Sequence, residues 1–321
     1  MEYKILAETG LKVSEICLGT LMFGSKANEA ESFEIMDYAV DCGINFFDTA
    51  NAYNAGESER IIGKWLKDKR DQIILATKVG NKMGANPLDS GLSRRNIVAS
   101  CDASLKRLNT DYIDIYYIHH RDPNTSLEET MEAMSGLIKA GKVRYTGISN
   151  HAAWQIADAL ALCDKRGYVP PVITECVYNM ITRGIESELV PFLSEHKIGL
   201  AIYNPIAGGL LAGKYKAGQS RENTRFADKN YYDRYWSDEN FVALGKLSAL
   251  AAANGMSILQ LAMRWCVGQK CVTSTITGVS SLSQLQQNIA AAEGEPLSDD
   301  ICARCDEIWD ELSGHRFQYI R

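Results

Sequence analysis

The sequence predicts an α/β fold in which eight parallel strands, each followed by a helix, close into a barrel. Strand-like apolar runs and amphipathic helical patterns alternate along most of the chain, and regular alternation of this kind gives a parallel sheet. The connections are mostly short, and no Pro-, Gly- or Ser-rich linker or change in composition marks a domain boundary. Eight such units in 321 residues fit a (β/α)8, or TIM, barrel better than two doubly wound domains. We therefore expect one domain, residues 1–321.

Two additions to the barrel are predicted at the ends of the chain. Residues 3–14 alternate in polarity around Thr9 and Gly10, which is typical of a β-hairpin. An amphipathic segment at 298–312 follows the eighth unit and predicts a C-terminal extra helix.

The barrel strands are predicted from short apolar runs that stop at turn or polar residues. The second, for example, follows Gly43 and stops at Asp48. Asp114 and Arg144 lie within two predicted strands, and we expect them to form a structural polar pair. In chain order, the predicted strands cover residues 16–19, 44–47, 73–77, 113–118, 143–149, 172–177, 198–203 and 272–276.

The helices are predicted from apolar residues at helical spacing between start and stop signals. The second carries Ile61, Ile62 and Trp65 on one face, and Ser93 starts the third. A long polar and aromatic segment, residues 204–240, precedes two consecutive helices. In chain order, the predicted helices cover residues 29–41, 57–68, 93–108, 126–139, 151–165, 185–196, 241–253, 257–267, 282–292 and 298–312.

Composition and charge argue against several classes of function. The content of 46% hydrophobic and 23% charged residues is ordinary for a soluble globular protein. A formal charge of −6 without a basic run argues against nucleic-acid binding. No stretch approaches the roughly 20 apolar residues of a membrane span, and the N-terminus does not resemble a signal peptide. We expect a cytoplasmic protein with neither a nucleic-acid nor a membrane partner.

Nine cysteines are scattered along the chain, several of them in apolar runs. An odd number in such positions fits reduced thiols better than a disulfide framework. Cys302 and Cys305 form a CxxC pattern, but they lie in an amphipathic helix, and no second pair completes a zinc site. No metal site is expected.

Four groups capable of proton chemistry are predicted to meet at the carboxyl ends of the strands. Asp48, Lys78 and His119 each follow a predicted strand, and Tyr53 lies in the loop after Asp48. Parallel barrels keep their active sites at this end. An ammonium such as that of Lys78 would lower the pKa of Tyr53 from its usual value of about 10, and Asp48 would balance the charge of Lys78.

This set of groups suits the interconversion of a carbonyl and an alcohol. Tyr53 would act as general acid or base, and His119 would orient and polarise the substrate oxygen. A hydride source is also needed, and no side chain can be one. No G-x-G-x-x-G motif follows the first strand and no P-loop motif occurs, so a nucleotide would have to be held in another way.

Several long motifs, in order and nearly end to end, resemble the aldo-keto reductases. The resemblance is to the branch that contains bacterial oxidoreductases and potassium-channel β subunits. It implies that Tyr53 is the proton donor, tuned by Lys78 and Asp48, and that His119 places the carbonyl of a small aldehyde, ketone or sugar. The matching segments are 10–14, 18–20, 23–24, 43–50 with Tyr53, 56–59, Lys78, 104–105 with Leu108, 111–114 leading to His119, and 142–150.

The resemblance also implies a nicotinamide cofactor, NADP(H) or NAD(H), across the barrel mouth. Glu175 stands where the family usually has glutamine, and a carboxylate can accept an amide N–H but cannot donate one. Gly278 and Gln284 stand where basic residues often bind the 2′-phosphate, which leaves NAD open as well. The residues at cofactor positions are Gly19, Thr20, Ser149, Asn150, Glu175, Tyr203, Asn204, Pro205, Gly208, Leu210, Gly278, Ser280, Gln284, Gln287 and Asn288.

Substrate contacts are expected at the rim of the mouth, from Phe23, His120 and Trp236. Trp236 lies in the segment 204–240, and long loops in compact domains are often lids or binding loops. The alternative for this loop is a surface or oligomer contact, and a homo-oligomer is compatible with the sequence.

Two other functions are compatible with these residues. One is a regulatory subunit that senses the cofactor and turns over slowly. The other is an aldolase that forms a Schiff base through Lys78. Ser149, Asn150 and Tyr203 favour the reductase.

Overall fold

The predicted (β/α)8 barrel is present in the computed structural model, which describes residues 1–222 and 224–314. The strands β1 (Tyr3–Ile5) and β2 (Lys12–Ser14) form the predicted antiparallel hairpin. The barrel strands are β3 (Ile16–Gly19), β4 (Phe46–Asp48), β5 (Ile74–Val79), β6 (Ile113–Ile118), β7 (Val143–Ser149), β8 (Ile173–Val177), β9 (Gly199–Tyr203) and β10 (Ser274–Gly278). Consecutive strands are parallel neighbours, and β10 pairs with β3 to close the barrel.

Helices surround the barrel, and serine caps begin several of them. The hydroxyl of Ser93, for example, accepts a hydrogen bond from the backbone N–H of Asn96, which satisfies a donor at the helix start. The helices are α1 (Glu29–Asp41), α2 (Glu57–Trp65), α3 (Arg94–Leu108), α4 (Leu127–Lys139), α5 (Ala153–Arg166), α6 (Leu189–Glu195), α7 (Lys229–Tyr235), α8 (Asp238–Ala253), α9 (Ile258–Gly268), α10 (Leu282–Ala292) and α11 (Asp299–Ser313). The last is the predicted C-terminal extra helix.

The predicted helices at 57–68 and 185–196 are each divided. The first ends as an α-helix at Trp65 and continues as a 3₁₀ turn, Leu66–Asp68. The second consists of a 3₁₀ turn, Gly184–Ser187, and the short helix α6.

Strand alternation produces two apolar cores. Side chains such as Phe46, Ile74 and Tyr117 fill the inside of the barrel, whereas their neighbours, such as Phe47 and Leu75, pack outward beneath the helices. Since successive residues of a strand point to opposite faces, residues two positions after an inward side chain also point inward. This periodicity positions the polar groups of the mouth.

The hairpin closes the amino-terminal end of the barrel. Leu6 is completely buried and belongs to the inner core. The hydroxyl of Ser274, at the start of β10, donates to the carbonyl of Ser14 at 2.7 Å, and the ammonium of Lys4 donates to the carbonyl of Val272 at 2.7 Å. The carboxyl ends of the strands therefore form the open end.

The expected polar pair of Asp114 and Arg144 is wrong. The carboxylate of Asp114 accepts from Arg70 at 2.7 Å and from the backbone N–H of Leu75 at 2.9 Å. Arg144 instead lies over the ring of Tyr112, with its guanidinium carbon 4.6 Å from the ring centroid, and Arg70 also stacks on this ring, at 3.8 Å. These contacts tie β6 to the turn before β5.

A glycine on α2 allows that helix to approach α3 closely. A methyl group at Gly63 would lie 2.2 Å from the backbone carbonyl oxygen of Arg107, whereas one at Gly136 on α4 would meet nothing within 4 Å. We expect Gly63→Ala to lower the free energy of unfolding by about 2 kcal/mol or more, because backbone must move. Gly136→Ala is expected to raise it by about 0.5–1 kcal/mol through helix propensity alone. Urea denaturation of both variants checks this, and equal effects would contradict it.

Candidate active site

The polar groups at the mouth continue the inward-facing rows of the barrel strands. Phe46 points inward on β4, so Asp48 does too, and the row through Ile74 on β5 ends at Lys78. Both polar side chains are buried. The last inward positions of adjacent strands thus bring a carboxylate and an ammonium together, as the sequence predicted.

The ammonium of Lys78 is completely buried and surrounded by oxygens. It donates to a carboxylate oxygen of Asp48 and, at 3.1 Å, to the backbone carbonyl of Thr49. A carboxylate oxygen of Glu175 lies 3.3 Å from it and the hydroxyl of Tyr53 3.5 Å. Burial alone would lower the pKa of Lys78, but Asp48 and Glu175 raise it well above its ordinary value. A lysine held in this way is a permanent cation, which disfavours the Schiff-base aldolase.

A tight turn after β4 brings Tyr53 back over the mouth. The residues after Tyr53 adopt left-handed backbone conformations, with φ of 49° at Asn54, 54° at Ala55 and 85° at Gly56. The side-chain amide of Asn54 holds the turn by donating to the carbonyls of residues 21 and 23. The backbone N–H of Asn51 also donates to the carbonyl of Lys78 at 3.2 Å. The turn is therefore bonded to both neighbouring strands.

The expected net acidification of Tyr53 is wrong. Burial raises the pKa of its hydroxyl above the ordinary value of 10.0, and although Lys78 lowers it, Asp48 and Glu175 act in the same direction as burial. Burial disfavours the charged phenolate and so raises the pKa. This effect is larger than the lowering by the single neighbouring cation. Tyr53 is consequently a neutral phenol at physiological pH.

His119 follows β6 and lies edge-on to Tyr53, with ring centroids 6.1 Å apart. Burial and the nearby charge of Lys78 lower the pKa of His119 to about 3, so its ring is neutral. The amide nitrogen of Asn81 lies 3.0 Å from Nδ1 of His119. With that amide donating, Nδ1 is the acceptor, and the ring proton resides on Nε2.

The oxygen of Asn81 lies 2.8 Å from Nε2 of His120. Asn81 thus bridges the two histidines, a role that no sequence motif indicated.

Two adjoining cavities form a groove across the open end of the barrel. The first, of about 640 Å³, is lined by Asp48, Tyr53 and His119. The second, of about 320 Å³, lies beyond it, between the loop after β9 and the start of α10. They share the lining residues Met22, Asn204, Arg225, Ile276 and Gly278. The groove is thus an elongated site with acid–base groups at one end.

Most of the predicted cofactor and substrate positions line this groove. Around the first cavity these are Gly19, Thr20, His120, Asn150, Glu175, Tyr203, Asn204 and Gly278. Around the second they are Asn204, Pro205, Gly208, Gly278, Ser280, Gln284, Gln287 and Asn288. Ser149 and Leu210 are completely buried beneath the groove. The hydroxyl of Ser149 accepts from the amide of Asn150 at 2.9 Å, and the hydroxyl of Tyr203 donates to Asn150 at 2.8 Å.

The comparison with known proteins identifies the family. The model of the aldo/keto reductase family matches residues 15–310. The chain belongs to the aldo/keto reductase family. Aldo/keto reductases use NAD(P)H nicotinamide cofactors, and membership supports an oxidoreductase that acts on carbonyl groups.

Named relatives of this aldo/keto reductase include both enzymes and a channel subunit. A probable voltage-gated potassium channel subunit beta of Arabidopsis thaliana is 38% identical, over 92% of this chain and 93% of the relative. The uncharacterized oxidoreductase YrpG of Bacillus subtilis is 38% identical, over 91% of both chains. The L-glyceraldehyde 3-phosphate reductase of Escherichia coli O157:H7 is 32% identical, over 96% of this chain and 92% of the relative.

Two of the residues expected at the substrate rim lie elsewhere in this reductase. Phe23 is completely buried in the outer core, and its neighbour Met22 lines the groove instead. Trp236 packs against Phe226 and Phe241, with ring centroids 4.8 and 5.0 Å away. The segment 204–240 does reach the first cavity, but through other residues: Asn204, Arg225, Asn230, Tyr231 and Arg234.

Three cations that the sequence motifs did not indicate line the second cavity. They are Lys26, from the loop after β3, and Lys214 and Arg225, both from the segment 204–240. The guanidinium of Arg225 donates to the hydroxyl of Tyr231 at 2.5 Å, which holds it in place. The sequence showed only that these three residues lie in hydrophilic loops. They come together at one cavity because the barrel closes.

All nine cysteines lie in the described part of the chain and are unpaired. Among residues 1–222 and 224–314, no group of three or more His, Cys, Asp or Glu side chains could hold a metal ion. None of the helices within these residues combines the length and the apolar content of a membrane span. Taken together, α8 and α9 reach that length and composition, but they meet at a bend of 92°.

Proposed function

We propose that this protein is an NADP(H)-dependent oxidoreductase that interconverts a small aldehyde, ketone or sugar carbonyl and the corresponding alcohol. The observation that carries the proposal is the hydroxyl of Tyr53, held 3.5 Å from the buried ammonium of Lys78 in the groove at the barrel mouth. A protonated phenol beside a fixed cation is suited to protonating an oxygen that gains negative charge.

In this mechanism four side chains divide the work of one proton transfer. Tyr53 would give its proton to the substrate oxygen, and Lys78 would stabilise the phenolate that remains. Asp48 would hold the ammonium in place, and His119 would donate from Nε2 to the same oxygen and fix the carbonyl. NADPH, when bound, would supply the hydride. In alcohol oxidation the phenolate of Tyr53 would accept the proton.

The residues of the groove fit a phosphate-bearing dinucleotide. Gly208 and Gly209 have φ values of 68° and 105°, and a Cβ at Gly208 would lie 2.8 Å from the ring of Tyr231. Only glycine therefore allows this turn, which brings backbone to the second cavity. Lys26 and Lys214 would provide charge-assisted contacts to phosphate there. Because NADP(H) carries a further phosphate, this concentration of positive charge supports NADP(H) over NAD(H).

The cofactor proposal is tested by Lys214→Ala. We expect the dissociation constant for NADPH to rise about ten-fold, since a charge-assisted contact contributes about 1.5–3 kcal/mol. Quenching of intrinsic fluorescence on titration with NADPH and NADH measures it. The matched control is Lys197→Ala, which removes an exposed lysine paired with Glu8 at the hairpin end. The proposal fails if the wild-type protein binds neither nucleotide.

A second candidate is a cofactor-sensing regulatory subunit, which the name of the Arabidopsis relative supports. The same groove would then hold NADP(H), but turnover would be slow. Comparing the rate of a single turnover with the steady-state rate distinguishes the two, because a regulatory subunit would oxidise bound NADPH and then release the product slowly.

We further propose that the enzyme acts in the cytoplasm as a single domain. Nine unpaired cysteines support a reducing compartment. The small size of the first cavity, about 640 Å³, supports a small-molecule partner.

A further inference from the structure

Glu175 is a buried carboxylate that the proposed proton transfer does not use. It is 4% exposed and follows Ile173 in the inward row of β8. Its Oε2 lies 3.3 Å from the ammonium of Lys78, and its side chain lines the same cavity as Tyr53 and His119. Among the described residues, neither this oxygen nor Oδ2 of Asp48 receives a hydrogen bond.

Two buried carboxylates therefore share one ammonium. Asp48 and Lys78 already neutralise each other, so ionised Glu175 adds a negative charge to the cluster. Burial, with the nearby charge of Asp48, raises the pKa of Glu175 to about 8, and Lys78 acts against this rise. A proton retained by Glu175 would give Asp48 the donor that it lacks. This carboxyl consequently changes its charge close to physiological pH.

Apart from Asp48, the titratable groups around Glu175 keep one charge state in that range. Burial raises the pKa of each neighbouring thiol and phenol, and Lys78 stays protonated. The titratable groups that face Glu175 are Cys17 on β3, Asp48 on β4, Tyr53 after β4, Lys78 on β5, Tyr117 on β6, Cys176 on β8 and Tyr203 on β9. Burial also raises the pKa of Asp48, but Asp48 is the carboxylate that accepts from Lys78, so we assign the change in charge of this pair to Glu175.

The charge of Glu175 would interact electrostatically with a nicotinamide ring positioned for hydride transfer. Since the proton and the hydride would go to the two atoms of one carbonyl, a bound nicotinamide ring would lie close to the hydroxyl of Tyr53. That hydroxyl and Oε2 of Glu175 both lie within 3.5 Å of the same ammonium. The oxidised ring carries a positive charge and the reduced ring is neutral. A buried carboxylate beside the ring would interact strongly with the first and weakly with the second.

We propose that Glu175 determines the redox preference of the cofactor site, because its carboxylate stabilises bound NADP⁺ relative to bound NADPH. This inference rests on the proposed function. It assigns Glu175 a role that an uncharged amide of the same shape could not perform. Above the pH at which Glu175 ionises, the site favours the oxidised cofactor, so hydride transfer from bound NADPH to the carbonyl becomes more favourable; below it, the preference is lost.

The test is the ratio of the dissociation constants for NADP⁺ and NADPH, measured by calorimetry at pH 6.5 and pH 9.5. In the wild-type protein, we expect the ratio to shift at least about ten-fold toward tighter relative binding of NADP⁺ at the higher pH. In Glu175→Gln the ratio should be independent of pH and should stay close to the wild-type value at pH 6.5. Glu8→Gln, which removes a carboxylate at the hairpin end, should behave as the wild type.

The outcomes separate this inference from the proposed function. If both cofactors bind but the wild-type ratio does not change with pH, the role of Glu175 is refuted while the cofactor site stands. The same conclusion follows if Glu175→Gln retains the wild-type pH dependence. If neither cofactor binds the wild-type protein, both proposals fall. The wild-type arm needs no substitution, so it decides the question even where a variant does not fold.

Discussion

Tyr53→Phe is expected to lower kcat by about 10²–10⁴-fold, the usual contribution of a positioned general acid. The substitution removes a hydroxyl 3.5 Å from the ammonium of Lys78 and keeps the ring that packs edge-on against His119. Binding of NADPH should therefore change little. Steady-state kinetics with an aldehyde substrate and a fluorescence titration with NADPH measure the two quantities separately.

Tyr112→Phe is the matched control for this substitution. Tyr112 also contacts a cation, since Arg70 and Arg144 stack on its ring, but it lies before β6, at the closed end of the barrel. Loss of its hydroxyl keeps the stacking and should leave kcat unchanged. A Tyr53→Phe enzyme that turns over close to the wild-type rate would remove Tyr53 from its proposed role and require another proton donor.

Lys78→Met is expected to have the largest effect on stability, a loss of about 3–5 kcal/mol, because removal of one partner leaves buried charge uncompensated. Asp48 and Glu175 would then face each other without a cation. In the folded variant the pKa of each carboxyl group would be raised above its value in the unfolded chain. The folded protein would then keep protons that the unfolded chain has released at the same pH. Its stability should therefore fall as the pH rises from 5 to 8. Urea denaturation across this range measures the effect.

A double variant separates the electrostatic cause from a simple packing defect. In Asp48→Asn with Lys78→Met, one carboxylate of the unpaired cluster is removed together with the cation. This variant should recover part of the lost stability but none of the activity. If the double variant were no more stable than Lys78→Met at pH 8, uncompensated charge would not be the reason for the destabilisation.

The placement of Asp48, Lys78 and His119 could be predicted from the sequence because it depends on local rules. Each follows a short apolar run, and the ends of parallel strands meet at one rim. The pairing of Asp114 could not be predicted in this way. Its partner, Arg70, comes from a turn 44 residues away, and nothing in the sequence distinguishes it from Arg144, which has an equally suitable charge.

The net pKa shift of Tyr53 and the contacts of the long loop could not be predicted from the sequence either. The sequence indicated that Lys78 would act on Tyr53, but the amount of desolvation is a property of the closed barrel, and it reverses the net direction of the shift. Similarly, Trp236 was expected at the mouth because its loop is long and aromatic. The loop instead uses Trp236 to pack on itself and presents Tyr231 and Arg234 to the cavity.

The pairing of β3 with β10 has a consequence for how the chain acquires its structure during synthesis. It joins Ile16 to Thr275 and Gly19 to Gly278, so the ring of strands cannot close until residue 278 has left the ribosome. Until then β3 and the newest strand are both open edges, and open edges invite pairing between chains. Nascent chains that stall before residue 274 are therefore the ones most in need of a chaperone.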